Sequence, residues 1–366
     1  MNRQEHMREF LSQQGWDAAE VTPIPGDAST RRYFRLADGT RKALLMDQPQ
    51  SAETPTAPPD ASAEQRRALG YNAVARLAGA DVARFADVAR FLKYRGLSAP
   101  EILAGDPAQG FLILEDLGEA LFADVMMKGG DEIALYSNAV EVLAKLHGQA
   151  APAAMGDKPL FLYDDVALLA ETDLLPEWYL PQALNREATP GEIAEHRALW
   201  KSALAKISAS PPVFVHRDYH AQNLLWLPER QGPAKTGLID FQDAVAGSRA
   251  YDLVSLLEDA RRDVDPAVAS VVLQHYFSIM RAQGTPVDEP AFTAEMAVMA
   301  AQRNAKIIGI FARLHRRDGK PRYLALLPRV WGYLTRDLAH PALAPLREWY
   351  DRTIPFERRF AGKDTA

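Results

Sequence analysis

Two stretches decide how this chain is read: VFVHRDYHAQNLLWL, Val213 to Leu227, and GLIDFQDA, Gly237 to Ala244. Each is an apolar, β-branched run that leads into a polar cluster, the pattern of a buried strand delivering side chains to a site. The first cluster sets His216, Asp218 and Asn223 in the order H-R-D-x-x-x-x-N. The second places Asp240 after Gly237-Leu238-Ile239, with Phe241 behind it.

That spacing suits phosphoryl transfer, in which a protein orients an acceptor hydroxyl and neutralises charge rather than forming covalent bonds. Asp218 would accept a hydrogen bond from the hydroxyl and take its proton late. Asn223 offers an amide oxygen to a cation. Asp240 offers a harder, charged oxygen, which Mg²⁺ takes readily beside substrate phosphates. Any one of these residues alone reads equally well as loop, whereas the whole ordered set seldom arises by chance.

HRDYHAQNLLW followed by LIDFQDA resembles the aminoglycoside phosphotransferase-type small-molecule kinases. GDASTRRYFRL, LMDQP, LPEWYL and RNAKIIGIFARLHRRDGKPRYL extend the likeness over nearly the whole chain. Together they resemble the anomeric sugar kinases that phosphorylate N-acetylmuramate and N-acetylglucosamine at C1 in cell-wall (peptidoglycan) recycling. The resemblance implies an α+β, protein-kinase-like two-lobed fold, with a small antiparallel-sheet N-lobe and a larger, mainly helical C-lobe. Residues 1–116 would be the nucleotide-binding N-lobe, and 117–366 the catalytic and sugar-binding C-lobe. Asp218 would be the base, Asn223 and Asp240 the Mg²⁺ ligands, and ATP the donor. Alternatives are a kinase of another small alcohol, such as an aminoglycoside or choline, and an inactive nucleotide-binding regulator.

Composition sets the outer limits. The chain has 366 residues, ample for two lobes with a buried core, and is 48% hydrophobic and 25% charged. Lys plus Arg number 42 against 48 Asp plus Glu, a net charge of −6 that gives no electrostatic case for nucleic acid or an anionic membrane. There are no cysteines, which excludes disulfides, thiolate catalysis and Cys-based zinc sites. The N-terminal MNRQEHMREFLSQQGW lacks an apolar signal-peptide core, and no stretch approaches about 18 uninterrupted apolar residues. A cytoplasmic location is compatible with this composition, and the resemblance implies an amino-sugar substrate, with a monomer as the expectation.

In chain order, a helix over Asn2 to Gln14 precedes strands at Val21 to Pro25 and Arg32 to Leu36 that flank GDAST. Taken alone GDAST reads as an ordinary hairpin turn and is not a G-x-G-x-x-G loop; counted with the downstream catalytic set, in a kinase-like N-lobe it would cover the ATP phosphates, with Gly26, Ser29 and Thr30 as candidate contacts. On the strand Lys42 to Asp47 the lysine usual in such kinases is replaced by Met46, and the helix expected over Asp81 to Arg95 has only Asp81 and Asp87 as acids. Lys42, Arg31 and Arg32 are the candidates to compensate. A proline-rich loop spans Pro49 to Ala61, a helix is expected over Ser62 to Ala78, and a strand pair ends at Glu115-Asp116-Leu117-Gly118. By the resemblance this is the interlobe hinge, where backbone around Glu115 and Leu117 would meet adenine.

Beyond Leu121 the spacing is helical. A helix over Tyr163 to Leu175 should break near Pro176, and the Glu177 and Trp178 that follow are candidates for a sugar pocket. His147 reads as packing, His216 as a loop brace and Asp252 as a structural acceptor for the catalytic loop. His220 is a candidate acceptor contact. In the apolar helix Ala297 to Leu314, Arg303 and Asn304 read equally as a solvated face or as further pocket candidates, where a guanidinium could take a lactyl carboxylate bidentately if the substrate carries one. HRRDGKPRY, His315 to Tyr323, reads as a solvated basic loop.

Overall fold

The computed structural model describes residues 2–25, 30–49, 56–207 and 210–359. It forms two compact units: Met1–Val142 with Pro152–Phe161 and Ala221–Val245, and Leu143–Ala151 with Leu162–His220 and Ala246–Ala366.

The first unit carries a five-stranded antiparallel sheet: β1 (Glu20–Ile24), β2 (Arg32–Asp38), β3 (Arg41–Asp47), β4 (Ile102–Asp106) and β5 (Phe111–Leu114), in the order β1-β2-β3-β5-β4. Alternation puts Leu36, Ala43, Leu45, Phe111 and Ile113 on one face, where they close a core with Phe10, Leu11 and Trp16. The helix Arg3–Gln13 begins in a capping box between Asn2 and Glu5, and Phe10 stacks on Phe111 at 5.5 Å. Arg3 and Arg32 both reach the buried Asp47, each at 2.5 Å.

The helix expected over Ser62 to Ala78 is divided. Ser62 caps Ala63–Leu69, after which Gly70 takes φ 101° and the chain restarts as the short helix Tyr71–Val74. That backbone angle is open to glycine and strained for other residues. The next helix, Val82–Tyr94, is capped by Asp81 and buries Phe85, Val88, Ala89 and Leu92. Leu224–Trp226 and Thr236–Leu238 pair as a two-stranded ribbon, with Leu224 opposite Leu238.

The second unit is mainly helical and built around Glu289–Asp318. Asp288 caps its start, Pro290 sits in the first turn where a missing N–H costs nothing, and Gly319 closes it at φ 64°. Val298, Ala301, Ala305, Ile308 and Ala312 are buried along it, and so are Gln302, Arg303 and Asn304. Each fully buried Val or Ile side chain contributes about 1.5–3 kcal/mol. Gly309 is needed for packing, since a Cβ there would sit 2.5 Å from the backbone carbon of Leu174.

The chain does not break at Pro176. Asp165–Thr172 passes into a π-helical turn, Leu175–Tyr179, and on into Leu180–Leu184, because the proline falls at the start of the turn where its absent N–H is tolerated. The basic run at 315–323 is not wholly a solvated loop. The helix continues through Asp318, and Tyr323 is buried against Phe311 at 5.2 Å. Among the described residues no helix is long and apolar enough to cross a membrane.

Candidate active site

In the second unit the buried strand Val213–Val215 ends at a sharp turn, where Arg217 adopts φ 82°. A non-glycine residue in that region is strained and persists only where its surroundings hold it. Asp252, on the fully buried helix Ala250–Leu257, accepts the backbone N–H groups of His216 at 2.6 Å and Arg217 at 2.9 Å. The His216 ring packs edge-on against Tyr219. Asp218 follows directly, fixed by the backbone on which it stands.

Around it lies a buried charge network. Glu171 Oε1 receives Arg217 at 2.5 Å and Lys306 at 3.1 Å, while Oε2 accepts from Gln302 at 3.1 Å and from the Tyr163 hydroxyl. Lys306 also donates to the Tyr251 hydroxyl at 3.1 Å. Burial opposes ionisation of Glu171, but the two cations outweigh it and hold the carboxyl below its ordinary range. Asp218 behaves alike: burial pushes it up, and Lys306, His220, Arg217 and Arg303 pull it below the usual carboxylate value. It is therefore an ionised carboxylate at neutral pH.

Asp218 opens into a cavity of about 120 Å³ within this unit, lined by His220, Tyr251, Arg261, Arg303 and Lys306 and by apolar Ile307, Ile310 and Phe311. Burial lowers His220 to about 4, so its ring is neutral and accepts from Arg261 Nη1 at 3.4 Å. The expected contacts His220 and Arg303 are thus at the cavity. Asn304 faces elsewhere, donating to Glu258 at 2.7 Å and Asp337 at 2.9 Å. Glu177 is exposed and lines a different hollow with Asp173, Pro176 and Ile193. Trp178 packs under Arg313, 5.8 Å from its ring centre. His147 is fully buried against the Tyr276 hydroxyl at 2.9 Å, a packing role.

The first unit positions the second polar cluster. The ribbon register brings Ile239 N–H to the Asn223 carbonyl at 3.3 Å and leaves the two side chains adjacent, Asn223 Nδ2 lying 3.4 Å from Asp240 Oδ2. Asp240 sits at φ 62° with its side chain 42% exposed, so its carboxylate reaches solvent. Gln242 donates to Oδ1 at 2.8 Å and Arg31 Nη1 at 3.2 Å. Phe241 anchors the turn against Phe85. Among the described residues no group of three or more His, Cys, Asp and Glu gathers at one point. A carboxylate and an amide suit Mg²⁺, which is commonly held by one or two protein oxygens with phosphates and waters completing its shell.

Of the expected phosphate contacts, Gly26 and Ser29 lie outside the described residues; Thr30 Oγ1 accepts from Gln48 at 2.9 Å. Met46 is buried on β3, opposite Tyr33 and Leu112. The acids of the following helix are engaged elsewhere, Asp81 with Lys158 at 2.5 Å and Asp87 with Arg90 at 2.9 Å. Lys42 is exposed and Arg32 is bound to Asp47, which leaves Arg31 beside Asp240. Glu115 pairs with Arg230 at 2.7 Å, and Leu117 packs with Leu225 and Leu227. Sequence reasoning missed Tyr251, Arg261 and Lys306 as cavity residues. Lys306 carried the one usable signal, its spacing of three from Arg303 on a single helix.

The profile of the phosphotransferase enzyme family matches residues 20–290. An N-acetylmuramate/N-acetylglucosamine kinase of Caulobacter vibrioides is 45% identical over 354 residues, 96% of each chain. One of Pseudomonas putida is 33% identical over 350 residues, 94% of this chain and 92% of the relative. Among solved structures, a choline/ethanolamine kinase family protein from Mesorhizobium loti superposes with a TM-score of 0.57 at 16% identity, covering 95% of this chain and 100% of that one, which shows the shared fold. An ionised aspartate on a braced loop, an adjacent Asn–Asp pair and these likenesses agree: the chain belongs to the phosphotransferase enzyme family, beside the relatives named N-acetylmuramate/N-acetylglucosamine kinases.

Proposed function

We propose that the protein is an ATP-dependent sugar kinase that phosphorylates the anomeric C1 hydroxyl of N-acetylmuramate or N-acetylglucosamine, releasing ADP and the sugar 1-phosphate for peptidoglycan recycling in the cytoplasm. The observation that carries this reading is Asp218, an ionised carboxylate in a cavity edged by cations, in a chain 45% identical to an N-acetylmuramate/N-acetylglucosamine kinase. Asp218 accepts the hydrogen bond of the attacking hydroxyl and takes its proton. An anomeric hydroxyl is more acidic than an ordinary alcohol, so a carboxylate with a low pKa suffices as base.

Asn223 and Asp240 are the residues that would hold Mg²⁺, which when bound neutralises charge on the triphosphate. Residues 1–116 would bind the nucleotide, with Thr30 beside the phosphates and the backbone at Glu115 and Leu117 against adenine. Arg31 takes the place of the strand lysine that Met46 displaces. The helical remainder, 117–366, would bind sugar and carry the base. An aminoglycoside is a polycation and is disfavoured by a cavity edged with Arg261, Arg303 and Lys306. An inactive regulator would have no need of Asp218, Asn223 and Asp240 together.

The test is phosphorus NMR of the protein with ATP, Mg²⁺ and, in separate tubes, N-acetylmuramate, N-acetylglucosamine, an aminoglycoside and choline. The expected result is a proton-coupled, acid-labile sugar 1-phosphate doublet in the two amino-sugar tubes. Phosphorylation only of the aminoglycoside or choline, or nucleotide binding without product, would overturn the reading.

A further inference from the structure

The cations at the Asp218 cavity are not equally engaged. Arg217 and Lys306 both spend their charge on Glu171. Arg303 is 4% exposed, donates Nη1 to the Glu258 backbone carbonyl at 3.2 Å and lies near enough to Asp218 and Asp252 to lower both carboxyls. Arg261 has its backbone N–H on Asp259 Oδ1 at 2.8 Å, and among the described residues the hydrogen-bond partner of its guanidinium is the neutral His220 ring at 3.4 Å. Among the described residues neither Arg261 nor Arg303 forms an ion pair with a carboxylate, although both line the cavity. A guanidinium held in a partly dry site against a neutral partner, as Arg261 is, is costly unless an anion completes it. Its planar fork matches a carboxylate, with two parallel N–H donors for two oxygens.

The two candidate acceptors differ in one substituent: N-acetylmuramate carries a lactyl ether ending in a carboxylate, and N-acetylglucosamine has a plain hydroxyl there. We propose that Arg261, supported by Arg303, is the specificity-determining residue that binds the acceptor's lactyl carboxylate, so that the site favours the acidic sugar over the neutral one. This rests on the sugar-kinase reading above. The carboxylate ends against Arg261 while the hexosamine ring extends toward Asp218. His220, neutral and accepting, holds the guanidinium in place without cancelling its charge. Lys306 remains with Glu171 and takes no part in the discrimination.

The experiment combines calorimetric binding with steady-state kinetics on wild type, Arg261→Gln and Arg261→Lys, using N-acetylmuramate, its lactyl carboxamide and N-acetylglucosamine, with thermal melting as the folding control. Wild type should bind the acid roughly ten- to a hundredfold more tightly than the amide, the range expected of a charge-assisted pair. Arg261→Gln should remove that difference and lower the kcat/KM ratio of N-acetylmuramate to N-acetylglucosamine at least about tenfold, with Arg261→Lys falling between. Equal losses toward both sugars, or an unchanged ratio in both variants, would overturn the proposal. If wild type phosphorylates N-acetylglucosamine but binds acid and amide alike, the Arg261 assignment fails while the kinase reading stands. Turnover of neither sugar would defeat the kinase reading, and this assignment with it.

Discussion

The ammonium of Lys306 lies 3.1 Å from a carboxylate oxygen of Glu171, and that same oxygen takes the Arg217 guanidinium at 2.5 Å. One buried anion thus holds two cations beside Asp218. They keep Asp218 ionised while Glu171 limits their own repulsion.

Lys306 is the strongest of the charges lowering Asp218. Replacing it by methionine should raise the Asp218 pKa and move the acid limb of the kcat/KM profile to higher pH, since the base must be deprotonated to act. The loss of activity should therefore be small well above the shifted limb and grow as the pH is lowered. A pH–rate profile of Lys306→Met with an unmoved acid limb would contradict this electrostatic account.

Gly309→Ala should destabilise the protein by about 1–3 kcal/mol, because the new methyl would meet the backbone of Leu174 at 2.5 Å and neither helix can yield cheaply. Urea unfolding measures it. A change of a few tenths of a kcal/mol would show that the π-helical turn relaxes freely.

Three buried histidines should govern acid stability. Desolvation lowers His147 and His196 to about 3 and His220 to about 4. As the pH falls below about 6.5 the unfolded chain gains these protons and the native state does not. Stability present above that pH is therefore lost on the way down to pH 4, each histidine adding up to about 1.4 kcal/mol per pH unit. The urea midpoint should drop steeply over this window, and His147→Phe should make the drop shallower; an identical slope in the variant would refute the assignment.

Met46 stands on β3 and Lys42 is exposed, whereas Arg31 lies 3.2 Å from Asp240, and the proposed function gives it the phosphates. Arg31→Met should weaken Mg²⁺–nucleotide binding about tenfold, the loss of one charge-assisted contact, and Arg31→Lys should recover part of it. Titration with a fluorescent ATP analogue reads this directly. Binding within twofold of wild type would remove Arg31 from the clamp.

The residues that were legible in the sequence are those whose chemistry is local. His216, Asp218 and Asn223 stand on one short loop, and their spacing alone announces them. Asp240 follows an apolar strand, which is equally plain. What escaped depends on partners distant in sequence. Lys306 looks like a break in an apolar helix, and only the fold shows that it is buried against Glu171. Asn304, one residue from Arg303, turns to Glu258 and Asp337, because adjacent positions on a helix face different directions. Pro176 signalled a helix break that the π-helical turn absorbs, so Glu177 and Trp178 continue the helical path away from the Asp218 cavity. Arg261 lies in a short connection after Ala250–Leu257, with no periodicity to mark it.

The central claim is that Asp218 is the base of a phosphoryl transfer, and Asp218→Asn tests it most directly when ADP release and nucleotide affinity are measured on the same preparation. The side chain keeps its shape and loses its charge, so the account predicts turnover of N-acetylmuramate reduced by about a thousandfold or more, with nucleotide affinity within about threefold of wild type. Turnover persisting within tenfold of wild type would contradict it, whatever the fold resembles.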